Sequence, residues 1–539
     1  PAYTCLGLNR VTPDASACDS GCEARRHASR DLETRWSTYY TREQHADDDL
    51  FSDLTCVAPT QNGVFMIFSR HSMLVLLVSA ILQTTIGVAA AEDWLRFRGP
   101  AGLGLAPKLS IPTKNEPEAI LWKVEVDPGT SSPLIIGEKI ILTSHQDDQR
   151  TIRCLNSEDG VVRWSRSITS SRKEPSTRPS GPATPTPVCD GKHVWALFPD
   201  AGLVCFDMDG TLVWENPLGP FHSMHGISSS LVLADGRLIV CIDQLRDSYL
   251  VAYDARTGDE VWQVKRHDGL TGGYSTPTIV SRSGDASMIV AVGPLALTAY
   301  DATDGRKLWE IPGVASAPIT LPLVVDGHVI LCEPVGEAIP FSMFSRYDSD
   351  KDNVLTLEEV KKDVAISRLL ESLDKKWGDG DKKVNEAEWD RAFGTLVDRG
   401  GLMSVQLSEP DSKTTPIRWR YRKSVPYIAS PIVVGPFVYF VQDGGILTSL
   451  ELKTGKVVKR ARLTRGGKQY YASPVAGGQA DDQKMLLVNT EGRCTVIQCG
   501  KDWSELGSFE LGEACFSTPA ISNGRAYIRT RGHLFCVGR

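Results

Sequence analysis

The chain has no adjacent cysteine pair, no Cys-x-x-Cys and no Cys-His cluster at zinc spacing. Those absences leave out zinc ribbons and thioredoxin-type redox centres. It has no excess of positive charge: 59 Lys and Arg stand against 66 Asp and Glu, a net charge of −7. No nucleic-acid partner is expected on that balance. The longest apolar run, 73–82 (Met-Leu-Val-Leu-Leu-Val-Ser-Ala-Ile-Leu), is too short for a good membrane-spanning helix. No methionine precedes Met66. Four of the 13 cysteines (Cys5, Cys18, Cys22, Cys56) precede residue 66; the remaining nine are an odd number, so at least one is unpaired within the chain.

A secretory signal reads from Met66. Arg70 and His71 give the basic start, 73–82 the apolar core, and Ala89-Ala90-Ala91 a cleavage site before Glu92. Residues 66–91 are therefore read as a signal peptide. Residues 1–65 are read as a non-native stretch upstream of the real start, or as a disordered extension. No cysteine follows the cleavage site, so no lipid anchor is expected, and the mature chain has no transmembrane anchor. The expected location is periplasmic or secreted.

What is abundant is a repeat. Residues 252–262 read Ala-Tyr-Asp-Ala-Arg-Thr-Gly-Asp-Glu-Val-Trp, and 299–309 read Ala-Tyr-Asp-Ala-Thr-Asp-Gly-Arg-Lys-Leu-Trp. A strand ends at the Tyr, Asp starts a tight turn, Gly supplies positive φ, and a second strand runs out to Trp. Tryptophans recur at 122, 164, 214, 262, 309 and 419. Each is followed by a small residue, often with Pro, leading into an apolar strand: Ser132-Pro133, Thr186-Pro187, Ser229-Ser230, Thr276-Pro277, Ala317-Pro318, Ser430-Pro431, Ser473-Pro474 and Thr518-Pro519. Eight repeats of four strands predict an all-β, eight-bladed propeller. The last repeat stops after its third strand, and 121–126 is a fourth strand with no blade before it. The N-terminal strand should close the ring. Lys459 stands where the sixth repeat should carry Trp. Cys154 and Cys205 take the place of Ala252 and Ala299 and read as small core residues. Cys494–Cys499 or Cys515–Cys536 could pair if the strands allow.

The interval from Trp309 to Trp419 is too long by one insertion, between propeller parts 92–333 and 401–539. Residues 334–400 turn helical and acidic: 348–390 holds 13 Asp and Glu against 8 Lys and Arg. Asp348, Asp350, Asp352, Thr356 and Glu359 fall at positions 1, 3, 5, 9 and 12 of a calcium loop, with the Val354 carbonyl at 7. Calcium takes six to eight hard oxygens, and this EF-hand spacing wraps them round one point. Asn353 replaces the usual glycine and tolerates a left-handed backbone. A second loop offers Asp379, Asp381, the Lys383 carbonyl, Asn385 and Glu388. Its first position falls on Trp377, which cannot ligate through its side chain; Asp374 could reach in only with a longer loop. This loop binds Ca²⁺ or serves as a structural partner pairing through Val384 and Leu355. The insertion should overhang the face carrying loops 165–183 and 215–226. There Arg166, Arg172, Lys173 and Arg178 are either docking partners or solvated charge, and His222 and His225 read as loop hydrogen-bonders.

The hairpins at 252–262 and 299–309 resemble the tryptophan-docking repeat of pyrroloquinoline-quinone (PQQ)-like propellers, over about 93–332 and 402–539. The start Trp94-Leu-Arg-Phe-Arg-Gly-Pro100 resembles the secreted outer-membrane-assembly-factor-like branch. Quinoprotein alcohol dehydrogenases of that superfamily bind PQQ and Ca²⁺ and carry a vicinal Cys-Cys disulfide, which this chain lacks. The resemblance thus implies an exported, non-catalytic scaffold with a protein partner at the cell envelope, monomeric, holding Ca²⁺ but not PQQ. The alternative is a PQQ-dependent oxidoreductase of alcohols or polymers. A polysaccharide-binding or polymer-degrading propeller stays open, because no acid pair stands out.

Overall fold

Each outer-strand tryptophan of the repeat lies opposite a small residue, which leaves room for the indole across the strand pair. Trp164 lies opposite Cys154, Trp214 opposite Cys205, Trp262 opposite Ala252, Trp309 opposite Ala299, Trp419 opposite Ser404 and Trp122 opposite Cys536. Immediately beyond each small partner the register shifts by a bulge, which re-aims the strand leading into the hairpin turn. The two repeat cysteines are therefore core residues chosen for size.

The structure, a computed structural model, describes residues 57–59, 65–67, 93–113, 119–268, 272–312, 314, 317–334, 340–390, 400–407, 416–479 and 482–539. It divides into two units, 1–86 and 87–539. In the first, Val57–Pro59 pairs antiparallel with Phe65–Ile67. The rest of the predicted signal peptide, 68–91, and of the 1–65 extension lies outside the described residues.

Among the described residues the second unit holds eight blades of four antiparallel strands, one of them with an added parallel edge strand, and a two-stranded sheet in the insertion. The first blade consists of Leu134–Ile136, Lys139–Gln146, Gln149–Asn156 and Val162–Thr169, and the same order of four recurs round the ring. The eighth, Ala520–Ser522, Arg525–Arg529 and His533–Val537, is completed by Ile120–Glu125 from the other end of the chain, as expected. Ile120–Glu125 covers the edge that His533–Val537 would otherwise present. The fifth blade pairs His328–Glu333 directly with Gly401–Gln406, and the insertion leaves between them.

Blades join through their tryptophans. The indole N–H of Trp164 donates to Met208 O in the next blade at 3.0 Å, and its ring lies on Gly210. Trp214 does the same with Ala255 O and Gly258, Trp262 with Ala302 O and Gly305, Trp419 with Leu452 O and Gly455. Across the closure, Trp122 reaches Ser157 O and Gly160. In the sixth blade Lys459 replaces the indole. Its ammonium lies 4.7 Å above the ring of Trp503 and donates to Trp503 O at 2.6 Å, so the aromatic has moved to the neighbour's turn.

All nine cysteines beyond residue 66 are free thiols, so neither pairing considered for Cys494 or Cys515 occurs. Two strand lead-ins also differ from expectation: the third blade enters through Ser230-Leu231, not Ser229-Ser230, since its first strand is Val232–Ala234, and the fifth through Leu321-Pro322, not Ala317-Pro318, since its first strand is Leu323–Val325.

Gly305 has φ +73°, and a Cβ there would meet the Trp262 ring at 2.5 Å. Gly305→Ala should cost about 1–2 kcal/mol for the left-handed backbone plus roughly 1–3 kcal/mol of overpacking. Gly236→Ala, at φ +75° with nothing within 4 Å, should cost only the first part. Denaturant melts of the two variants measure the difference, and equal losses would refute the ring contact as the origin.

Candidate functional site

Two places gather polar chemistry. The first is the inserted module. Val354–Thr356 pairs with Lys383–Asn385, placing Leu355 opposite Val384. Both residues are fully buried against Phe341, Phe344 and Trp389. The flanking helices are short and split: Phe341–Phe344 is a 3₁₀ turn, and Leu357–Val360 ends before Asp363 caps a new helix, Val364–Trp377. Thr356 with Glu359, and Asn385 with Glu388, form matching capping boxes that open the helices leaving each loop.

In the first loop the carboxylates of Asp348, Asp350 and Asp352 converge within 4.8 Å of one another. Asp348 Oδ2 accepts the Asn353 N–H at 3.0 Å, and Asn353 takes φ +60°. The other oxygen, Oδ1, is buried with no hydrogen-bond partner among the described residues. Burial of such an atom without a partner is costly. Asp350 is raised above the usual carboxylate range: the Asp352 N–H bond lowers it, but desolvation and the negative charges of Asp352 and Glu359 outweigh that. Glu359 is instead turned onto its own loop. Desolvation pushes its carboxyl up, but N–H and O–H donors of Thr356 and Ser349 hold it down at about 2. The Val354 carbonyl and Thr356 lie on the short strand beside it.

The second loop gathers a residue outside the regular spacing. Asp374, at the end of the long helix, lies with Asp379 and Asp381 in a second carboxylate group. Its oxygens accept the N–H groups of Gly380 and Lys382 at 2.9 Å. Lys382 has φ +68°, corresponding to Asn353 in the first loop. Asp374 thus takes the part that register assigns to Trp377. The signal was there: an acid three residues early, followed by Gly378, which lets the chain turn back on the helix end. Lys383, Asn385 and Glu388 sit on the paired strand and the following helix.

The second place is the propeller axis. A cavity of about 490 Å³ lies where the blade-to-blade connections converge. Its wall is a belt of hydroxyls that also stitches the blades together. Ser132 N–H donates to Thr186 Oγ1, Thr186 to Ser230, Ser230 to Thr276, Leu321 to Ser430, Ser430 to Ser473 and Ser473 to Thr518, all at 2.9–3.0 Å. Leu321 carries no hydroxyl and interrupts the series. Tyr274, Tyr427, Tyr471 and Phe516 also line the cavity, with the His225 ring tilted against Tyr274 at 5.8 Å. Among the described lining residues Arg178 is the one full charge, and none is a carboxylate.

Residues 93–111 close the other end. Trp94 bridges to Ile135 in the first blade, Leu95 O accepts from Cys189 in the second, and Leu105–Ala106 adds a parallel edge to the seventh. Ser110 bonds Gly524 O in the eighth. Phe97, from this segment, lines the cavity. The Arg96 guanidinium donates to Pro277 O and that of Arg98 to Pro431 O. Each proline directly follows a belt hydroxyl residue.

The basic loops considered as docking partners are used locally. Arg166 donates to Gly210 O, and Arg172 pairs with Glu174. His222 bonds Arg246 and His225 bonds Thr177. No helix of the described residues is long and apolar enough to cross a membrane.

A family model described as outer membrane protein assembly factor BamB matches residues 111–246 and 246–348. Quinohemoprotein alcohol dehydrogenase of Comamonas testosteroni is 11% identical over 86% of this chain and 83% of its own, with a TM-score of 0.52. BamB of Moraxella catarrhalis is 10% identical over 77% of this chain and 97% of its own, with a TM-score of 0.47. At such identities the dehydrogenase likeness shows the fold alone. No curated protein sequence matches.

The folded-state Glu359 carboxyl lies below its ordinary value of 4.5, at about 2. Its contribution is therefore complete above pH 4.5 and lost as pH falls towards 2. Hydrogen exchange over 354–385, compared between wild type and Glu359→Gln, should differ at pH 6, differ less at pH 3, and converge only as pH falls through about 2. A difference that does not change with pH would refute the assignment.

Proposed function

We propose that this chain, a propeller of the PQQ-like repeat type by its blades and its family match, is an exported, non-catalytic scaffold that carries Ca²⁺ in its inserted module and binds a protein partner at the cell envelope. The match of 111–348 to the outer membrane protein assembly factor family carries the scaffold reading. The expected signal peptide supports export.

The donor set of the module fits a calcium ion. Asp348, Asp350, Asp352, the Val354 carbonyl, Thr356 and Glu359 offer hard oxygens, and the unpartnered buried Asp348 Oδ1 is relieved by a cation. In the second loop Asp374, Asp379, Asp381, the Lys383 carbonyl, Asn385 and Glu388 offer a similar set. A divalent ion offsets the mutual repulsion that raises Asp350. Its work here is to hold two loops and their helices in one arrangement.

The second reading is a PQQ-dependent oxidoreductase. The axial cavity has aromatic walls and one cation, but its described lining offers no carboxylate to hold a divalent ion beside a quinone. That donor set does not fit the cofactor as this resemblance implies it, with Ca²⁺.

Calorimetry on the mature chain should give Ca²⁺ binding at roughly 10⁻⁴–10⁻³ M, the range of extracellular modules. Asp348→Asn should weaken it at least tenfold. No heat, or an unchanged variant, refutes the calcium site. Reconstitution with PQQ followed by gel filtration should leave no bound chromophore and no dye-linked alcohol oxidation. Retained cofactor with turnover would overturn the scaffold reading.

A further inference from the structure

The axial cavity has a charge that its lining does not display. Two guanidiniums, Arg96 and Arg98, lie directly beneath the belt, held by Pro277 O and Pro431 O. Arg98 has no exposed surface, and its other bonds go to the carbonyls of Gly102 and Leu103. Arg96 Nε and Arg98 Nη1 are buried with no hydrogen-bond partner among the described residues. Neither side chain has an ion-pair partner among the described residues. Two other buried arginines have one, Arg150 clamped by Asp200 and Arg266 by Asp243, whereas Arg529 at the junction of the eighth and first blades is, like Arg98, without an ion pair among the described residues and is held by carbonyls and hydroxyls. Burial alone lowers Arg98 to about 9 and Arg96 to about 10, so both remain charged at neutral pH. Carbonyl dipoles offset part of the cost of such charges, and a neighbouring anion would offset more.

The belt above them also favours an anion. Thr186, Ser230, Thr276, Ser430, Ser473 and Thr518 each accept a backbone N–H with the hydroxyl oxygen. Each O–H proton stays available for donation. Arg178 adds a cation at the wall, and no carboxylate in the described lining repels an acid. The aromatic residues stand on opposite sides of the axis. Tyr274 with His225 leads into the third and fourth blades; Tyr471 with Phe516, 5.7 Å apart, leads into the seventh and eighth. Flat rings on two walls with hydroxyls between them suit the C–H faces and the hydroxyl edge of a sugar ring. The volume lies in the range of small-molecule sites, roughly 300–1,000 Å³.

We propose that the axial cavity binds the end of an acidic saccharide, with a uronate carboxylate over the hydroxyl belt and the Arg96–Arg98 floor, and sugar rings between the aromatic walls. The site binds without cleaving, because no acid pair is present in the described lining to protonate a leaving group or activate water. The inference is independent of the scaffold and calcium readings, and stands if either fails.

The test is calorimetry of the mature chain, without added calcium, using three probes: a uronic-acid trisaccharide, its carboxyl-reduced neutral counterpart, and inorganic phosphate. The acid should bind at least tenfold tighter than the neutral form, and more weakly at 0.5 M salt. Arg178→Gln should remove most of that preference, whereas Tyr471→Ala should weaken both sugars. Arg98→Met, if it folds by circular dichroism, should abolish the preference. Equal binding of acid and neutral sugars, or no heat from either, overturns the proposal. Phosphate binding as tightly as the trisaccharide, unaffected by Tyr471→Ala, would reduce the cavity to a simple anion site and also overturn it.

Discussion

The ring depends on one contact repeated between blades: an indole lying flat on a glycine. The outer-strand tryptophan of one blade covers the turn glycine of the next and donates its N–H to a carbonyl of that same turn. Apolar area, one hydrogen bond and a left-handed backbone are combined at a single point. Each has its own requirement. The indole needs a small residue across the strand, the turn needs positive φ, and the ring needs that glycine to have no Cβ. Where that contact is made, three positions of the repeat are constrained together, which is why the repeat is visible at all.

Closing the ring creates an axis, and the axis has to be filled or lined. Here it is lined by hydroxyls that accept N–H groups from the neighbouring blade, and stopped at one end by residues 93–111. The same segment brings two arginines under the belt. Phe97 of that segment lines the axial cavity, and the two guanidiniums lie behind the lining. At the fifth blade the inserted module leaves from the loop between the second and third strands, the end at which blade-to-blade connections also run. Cavity mouth and acidic module therefore belong to one face of the propeller.

Within the module the two loops are alike in their frames and unlike in their first ligand. Asn353 and Lys382 hold equivalent left-handed positions, and each lends its N–H to an aspartate. In the first loop that aspartate is Asp348, five residues earlier; in the second it is Asp374, eight residues earlier. The carboxylate has moved along the chain and stayed in the same place in space.

The sequence by itself determined the blade count, the closing strand, and the point at which the insertion leaves the fifth blade. These follow from local rules of size and turn geometry, repeated at a fixed period, so a misplaced lead-in such as Ala317-Pro318 for Leu321-Pro322 did no harm to the count. The carboxylates of the first loop were legible for the same reason: their spacing is short and all within one turn of chain. Only tertiary structure decided the rest. Ser132 and Thr518 are far apart in sequence, and nothing local says that such residues share one belt. Arg96 and Arg98 stand in the sequence only as part of the stretch before the first blade, and the fold carries them to Pro277 and Pro431. Asp374 needed the helix end and Gly378 to bring it back over its loop. The axial cavity is made of residues from every blade, and its character comes from distances between elements, which periodicity along the chain does not encode.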